Sequence, residues 1–147
     1  ATLLSKLVQI NSINSTLSDG PGEREIAEFI ARSLKALKLD VSLQIVGHNQ
    51  RNVTAIIPGK KHNRSLLLNA HLDTVGVDGM DDPFRLRREG DRLYGRGTYD
   101  MKGSVAIMLL LADYFARHMP PLDLLLTFVA DEEDKSAGME YLGRSDR

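Results

Sequence analysis

Leu66-Leu67-Leu68-Asn69-Ala70-His71-Leu72-Asp73 runs from three consecutive leucines into a histidine and an aspartate. A continuous apolar run too short for a helix reads as a strand covered on both faces. The stretch is therefore expected to be a central strand whose carboxyl end carries His71 and Asp73. Side chains alternate along extended chain, so those two residues face the same side. In α/β sheets, ligand sites gather beyond the carboxyl ends of the strands. The polar residues just past each buried strand are thus the first candidates for chemistry.

Working outward toward the N-terminus, Val53, Ala55 and Ile57 alternate with polar residues before Pro58-Gly59, as do Val41, Leu43 and Ile45. Both segments read as half-exposed strands. Ile26, Ile30, Leu34 and Leu37 recur at three- and four-residue intervals, with Glu23, Arg24, Glu28, Arg32 and Lys35 on the other faces, which predicts an amphipathic helix after the turn Asp19-Gly20-Pro21-Gly22. Leu3, Leu4, Leu7 and Val8 predict a short helix ending near Asn11-Ser12. In the other direction, Phe84 to Tyr94 predicts a hairpin turning at Glu89-Gly90-Asp91. Met101 to Met119 predicts a long helix stopped by Pro120-Pro121, and Leu122 to Ala130 a second buried strand. A short helix is expected from Ser136, running into the polar Arg144-Ser145-Asp146-Arg147. Strands alternating with helices predict an α/β sandwich, a central sheet with helices on both faces.

Composition narrows the function. The chain's 147 residues suffice for one domain with a real core, and a net charge of -1 offers no field for nucleic acid or an anionic membrane. There is no cysteine, which excludes disulfides, thiolate metal ligands and a cysteine nucleophile. The longest uncharged apolar run, Val105 to Ala112, is far short of the roughly 20 residues that span a bilayer. No charged segment followed by an apolar one opens the chain, so a cytoplasmic protein is expected. The Asn-x-Ser/Thr triplets at Asn14, Asn52 and Asn63 are then chance matches. Arg85, Arg87, Arg88, Arg92 and Arg96 are interleaved with Glu89 and Asp91, and aromatic residues are only 5%, which points to a salt-bridged surface and not a nucleic-acid face.

Three clusters carry the chemistry. In His71-Leu72-Asp73, an imidazole that binds a metal needs its other nitrogen held, and Asp73 is placed to do that; a buried histidine hydrogen-bonded at a strand end is the ordinary alternative. Asp100 stands in Gly95-Arg96-Gly97-Thr98-Tyr99-Asp100-Met101-Lys102-Gly103, before the long helix, where it could equally be a capping carboxylate. The glycines fit no nucleotide loop: a dinucleotide fingerprint starting at Gly95 needs glycine at 100, and Lys102-Gly103-Ser104 inverts the order of a Walker loop. Asp131-Glu132-Glu133-Asp134 follows the second buried strand. Four successive carboxylates call for a compensating cation, or else form a solvated acidic turn. With metal bound, one glutamate would coordinate while its neighbour removes a proton from water. Nitrogen and oxygen donors without sulfur suit zinc, with cobalt or manganese as substitutes.

Asn69-Ala70-His71-Leu72-Asp73-Thr74-Val75, Leu93 to Gly103 and Ala130-Asp131-Glu132-Glu133 together closely resemble the dizinc deacylases and exopeptidases, the family of acetylornithine deacetylase, succinyl-diaminopimelate desuccinylase, the aminoacylases and the glutamate carboxypeptidases. The resemblance covers essentially the whole chain. It implies a three-layer α/β sandwich of zinc-exopeptidase type with a mixed central sheet, of which residues 1–147 are the N-terminal, truncated part. It further implies that His71 binds one zinc ion, Glu133 the other, and Asp100 bridges the two, with a cis bond to Met101. Glu132 looks like the general base and Asp73 like the support of His71. The implied activity is hydrolysis of an amide bond in an N-acyl amino acid or peptide. The family's remaining acidic and histidine ligands, and the lid domain through which its members form homodimers, would lie beyond Arg147. Residues 1–147 alone are accordingly expected to hold zinc weakly and to be inactive; a rival reading is a non-catalytic interaction module whose apolar sheet edge self-associates.

Overall fold

A computed structural model describes residues 2–144. The polar tail expected at Ser145, Asp146 and Arg147 lies outside the described residues. The order of elements is α1 (Thr2–Gln9), α2 (Arg24–Ala36), β1 (Asp40–Ile45), β2 (Arg51–Ile57), β3 (Ser65–His71), β4 (Arg87–Glu89), β5 (Arg92–Tyr94), α3 (Lys102–Arg117), β6 (Asp123–Val129) and α4 (Ala137–Arg144).

Strands β1, β2, β6 and β3 form one sheet in that order, antiparallel between β1, β2 and β6 and parallel between β6 and β3. This is the mixed α/β sheet the sequence predicts. The β6–β3 pair runs in register from Ser65 opposite Asp123 to His71 opposite Val129, so both strands end at the same level. That shared ending is what brings the residues after each strand together.

On one face of the sheet, α2 buries Ile26, Ala27, Ile30, Ala31 and Leu34. They meet Val53, Ala55 and Ile57 of β2, Leu124, Leu126 and Phe128 of β6, and Val105, Met108, Leu109 and Ala112 of α3 in one core. A 13-residue helix is marginal alone in water. Burial of Ile26, Ile30 and Leu34, each contributing about 1.5–3 kcal/mol, therefore decides its formation over intrinsic propensity. Helix α4 approaches the opposite face, because Asn52, which alternates away from Val53, donates from Nδ2 to the Gly138 carbonyl at 2.9 Å. Gly138 admits no side chain: a Cβ there would stand 2.5 Å from both the Ala130 carbonyl oxygen and Asn52 Oδ1.

Three expectations change. Among the described residues β3 is an edge strand, paired only with β6, and Leu66 and Leu67 are 49% and 53% exposed. Continuous leucines signal that both faces are apolar, but they carry no information about which side of the strand is paired. Glu23, expected on the polar side of α2, is fully buried at the start of that helix. The hairpin forms as predicted, with Glu89 opposite Arg92 and Gly90 at a φ of 59°. Its arginines are not paired as expected: Arg85 reaches Asp82 at 3.9 Å, and among the described residues Glu89 and Asp91 take no ion pair. No helix among the described residues is long and apolar enough to cross a membrane.

Lys102 opens α3 and is 1% exposed, its Nζ donating to the Ile10 carbonyl at 2.7 Å. Gly97, at a φ of 80°, makes room for it, since a Cβ there would lie 2.9 Å from Lys102 Cδ. Burial, reinforced by the Arg96 charge, lowers the Lys102 pKa to about 7. The unfolded chain keeps that proton up to about pH 10.4, so between the two values the unfolded state binds more protons and stability contributed at this site rises with pH. Lys102→Met should remove this rise. Urea unfolding of both proteins at pH 7 and pH 10 checks it: the wild type should gain on the variant by up to a few kcal/mol with increasing pH, and parallel profiles would contradict the assignment.

Candidate metal centre

The last residue of β3, His71, is 6% exposed and aims its two ring nitrogens at opposite neighbours. Nδ1 lies 3.1 Å from the Asp73 backbone carbonyl and 3.4 Å from Asp73 Oδ1. Nε2 lies 2.8 Å from Asp100 Oδ1 and 3.8 Å from Glu132 Oε2. The His71 backbone N–H is capped by Met101 Sδ at 3.3 Å, and the Asp100–Met101 peptide bond is cis. Ligand-type atoms of His71, Glu132 and Glu133 all fall within 4.8 Å of one another. The three sequence clusters therefore meet at one place: Asp100 and Glu132 face the Nε2 edge of His71, and Asp73 the Nδ1 edge.

Asp73 does more than the sequence implies. It is 1% exposed, and its carboxylate faces the turn after β6 as well as His71. Oδ1 accepts the Glu132 backbone N–H at 3.1 Å, and Oδ2 accepts that of Glu133 at 3.0 Å and Asn14 Nδ2 at 2.8 Å. The same Asn14 amide donates to Asp131 Oδ1 at 3.0 Å, while Asn14 Oδ1 accepts from Thr16 and Leu17. A parallel bridge between Ile13 and Thr74 lays this segment beside the chain leaving β3. Glu23 Oε1 accepts the Asp131 N–H at 3.2 Å, and Asn52 Oδ1 the Ala130 N–H at 3.0 Å. Asn14, Glu23 and Asn52 are thus structural members of the centre that sequence reading missed. Asn14 and Asn52 sit within the Asn-x-Ser/Thr triplets set aside as chance, and their burial agrees with that. No periodicity marks any of the three; the only available signal was a polar residue next to a turn.

Electrostatics follow from this crowding. Burial alone would lower the His71 pKa, but hydrogen bonds with Asp73 and Asp100 and the charges of Asp73 and Glu132 outweigh it and raise it to about 9. Burial pushes the Asp73 carboxyl up, and the bonds from His71, Asn14 and the Glu133 and Glu132 amides overcome that and hold it below the usual range. Glu133 is pushed up by burial and by the charges of Asp100, Asp73 and Glu132, against the pull of His71. Four carboxylates surrounding one imidazole leave an excess of negative charge that a divalent cation would neutralise. The donor set of imidazole nitrogen and carboxylate oxygen, with the far imidazole nitrogen already held, fits such an ion.

A mixed α/β sheet with this imidazole–carboxylate cluster beyond its strand ends is the build of a metallohydrolase. The model for peptidase family M20/M25/M40 matches residues 67–145, more than half of the chain, and the chain belongs to that family. A protein of Methanocaldococcus jannaschii described as an uncharacterised metallohydrolase is 31% identical over 95% of this chain and 38% of its own length. Acetylornithine deacetylase of Edwardsiella ictaluri is 33% identical over 91% of this chain and 36% of its own. Among solved structures, an M20 family metallo-carboxypeptidase of Sulfolobus solfataricus aligns with a TM-score of 0.75 at 25% identity, covering 88% of this chain and 30% of that one. The chain thus spans less than two fifths of the length of these relatives.

Because His71 keeps its proton to about pH 9, a divalent ion taking Nε2 must displace it. Zn2+ affinity should accordingly rise with pH, approaching tenfold per unit between about pH 6 and 8. Calorimetry in buffers of different ionisation enthalpy should register proton release on binding. An affinity flat across that range, with no proton released, would take His71 out of the ligand set.

Proposed function

We propose that residues 1–147 form the N-terminal part of the catalytic domain of a two-zinc amide hydrolase acting on N-acyl amino acids or short peptides. In this reading His71 and Glu133 each bind one ion, Asp100 bridges them, and Glu132 is the general base. Zinc is the expected metal, and cobalt or manganese would fit the same donors. The observation that carries the reading is the convergence of His71 Nε2 with Asp100 and Glu132, and of His71, Glu132 and Glu133 within 4.8 Å. Relatives named deacetylase and metallo-carboxypeptidase support an amide bond as the target.

When bound, the divalent ions would supply charge stabilisation for the substrate carbonyl and acidify water. The chain's own residues do the rest. Asp73 fixes the orientation of the imidazole through Nδ1, leaving Nε2 as donor to the metal. Glu132, half exposed while its backbone N–H is tied to Asp73, can swing a carboxylate into the reaction space without losing its place in the turn. It would take a proton from the attacking water and return it to the departing amine, the usual division of labour for a general base turned acid. Further ligands, and a lid domain serving dimerisation, would be contributed by sequence outside these residues.

Hydrolysis of N-acetyl amino acids and of dipeptides with added Zn2+, by the full polypeptide that carries these residues, is the direct test. Glu132→Gln should lower kcat by about 10²–10⁴-fold with KM and bound metal little changed. His71→Ala should instead lower metal content. A Glu132→Gln protein that keeps its full rate would remove Glu132 as the base, and Zn2+-independent hydrolysis would remove the class.

A further inference from the structure

Three consecutive backbone N–H groups, those of Asp131, Glu132 and Glu133, each end on a buried carboxyl oxygen: Glu23 Oε1, Asp73 Oδ1 and Asp73 Oδ2, at 3.2, 3.1 and 3.0 Å. Asp73 accounts for two of them and adjoins the imidazole. Glu23 comes from the start of α2, more than a hundred residues away in sequence, and takes the first. Its backbone serves α2, the carbonyl accepting the Ala27 N–H at 2.9 Å, but its side chain makes no capping bond to the helix. Among the described residues its second oxygen, Oε2, is buried without a hydrogen-bond partner. A fully buried carboxyl that accepts from the residue before Glu132 and leaves its other oxygen unsatisfied is costly unless that bond matters.

Resting on the roles given above to Glu132 and Glu133, we infer that Glu23 is a positioning residue for that pair, pinning the turn that aims them by accepting the Asp131 N–H. Asp131 has a φ of 63°, a conformation L side chains rarely adopt, and it begins the turn. Its side chain is held by Asn14, Thr16 and the Ala137 N–H, and its N–H by Glu23. The left-handed residue is thereby fixed from both ends, and the direction in which the chain leaves β6 toward Glu132 is set. Glu23 needs no charge for this. Burial, then the neighbouring charge of Asp73, raises its carboxyl to about 7, and the oxygen facing Asp131 accepts in either protonation state.

That indifference to charge separates positioning from general stabilisation. In Glu23→Gln the side-chain oxygen accepts the same bond, so Zn2+ affinity should stay within about threefold of the wild type. In Glu23→Leu the acceptor is gone, and Glu23→Asp, one methylene shorter, should no longer reach; both should weaken Zn2+ binding about 10–100-fold, the range for loss of a partner behind the ligands. Amide hydrogen exchange supplies the readout that does not depend on metal: the Asp131, Glu132 and Glu133 amides should exchange at least about tenfold faster in Glu23→Asp and Glu23→Leu but not in Glu23→Gln, while amides of β2 and the middle of α2 keep their protection. Uniformly faster exchange, or unchanged exchange at 131–133 in Glu23→Asp, would overturn the inference. If the full polypeptide that carries these residues takes up no Zn2+ at all, the two-zinc reading fails, and the exchange pattern alone still decides the role of Glu23.

Discussion

One buried carboxylate, that of Asp73, joins the parts of this molecule that sequence keeps farthest apart. It meets the imidazole on one side and the Glu132 and Glu133 amides on the other, and it takes a third bond from Asn14. Bonds to a charged acceptor contribute about 1.5–3 kcal/mol each, and leaving a buried charge without partners costs several kcal/mol. With 1% exposure, Asp73 has no recourse to solvent. The geometry of the turn after β6 is therefore tied to that of the end of β3, and neither can relax alone.

The sheet makes this possible. Only parallel neighbours end on the same side, and β3 and β6 are the parallel pair. The connection between them must cross the sheet, and it uses that length to carry the hairpin, the loop with Asp100 and helix α3. The third cluster thus comes back to the strand ends as part of the crossover. Lys102, anchored on the Ile10 carbonyl, ties the start of α3, and with it the loop bearing Asp100, to the chain just after α1.

Much of this was legible beforehand because each element obeys a local rule. The hairpin has its turn glycine, α2 its apolar spacing, and β6 its largely apolar run. The pairing of His71 with Asp73 came from alternation, and the acidic residues after β6 from their position at a strand end. What was not legible belongs to tertiary context. Three leucines look alike in a central strand and in an edge strand. Glu23 was assigned to solvent because a helical wheel equates polar with outside, and nothing local shows that an acceptor is needed for an amide over a hundred residues later. Asn14 and Asn52 looked like accidental glycosylation triplets for the same reason: their partners, Asp73, Asp131, Ala130 and Gly138, are remote in sequence.

The position of β3 at the rim of the sheet has a geometric corollary. Among the described residues no strand pairs with its free side, along the same seven residues that finish at His71. Any polypeptide that lengthens the sheet there would lie about 4.8 Å from β3 over its whole span. The end of such a neighbour would be delivered beside the imidazole, so growth of the architecture and a change in what surrounds His71 would be one event.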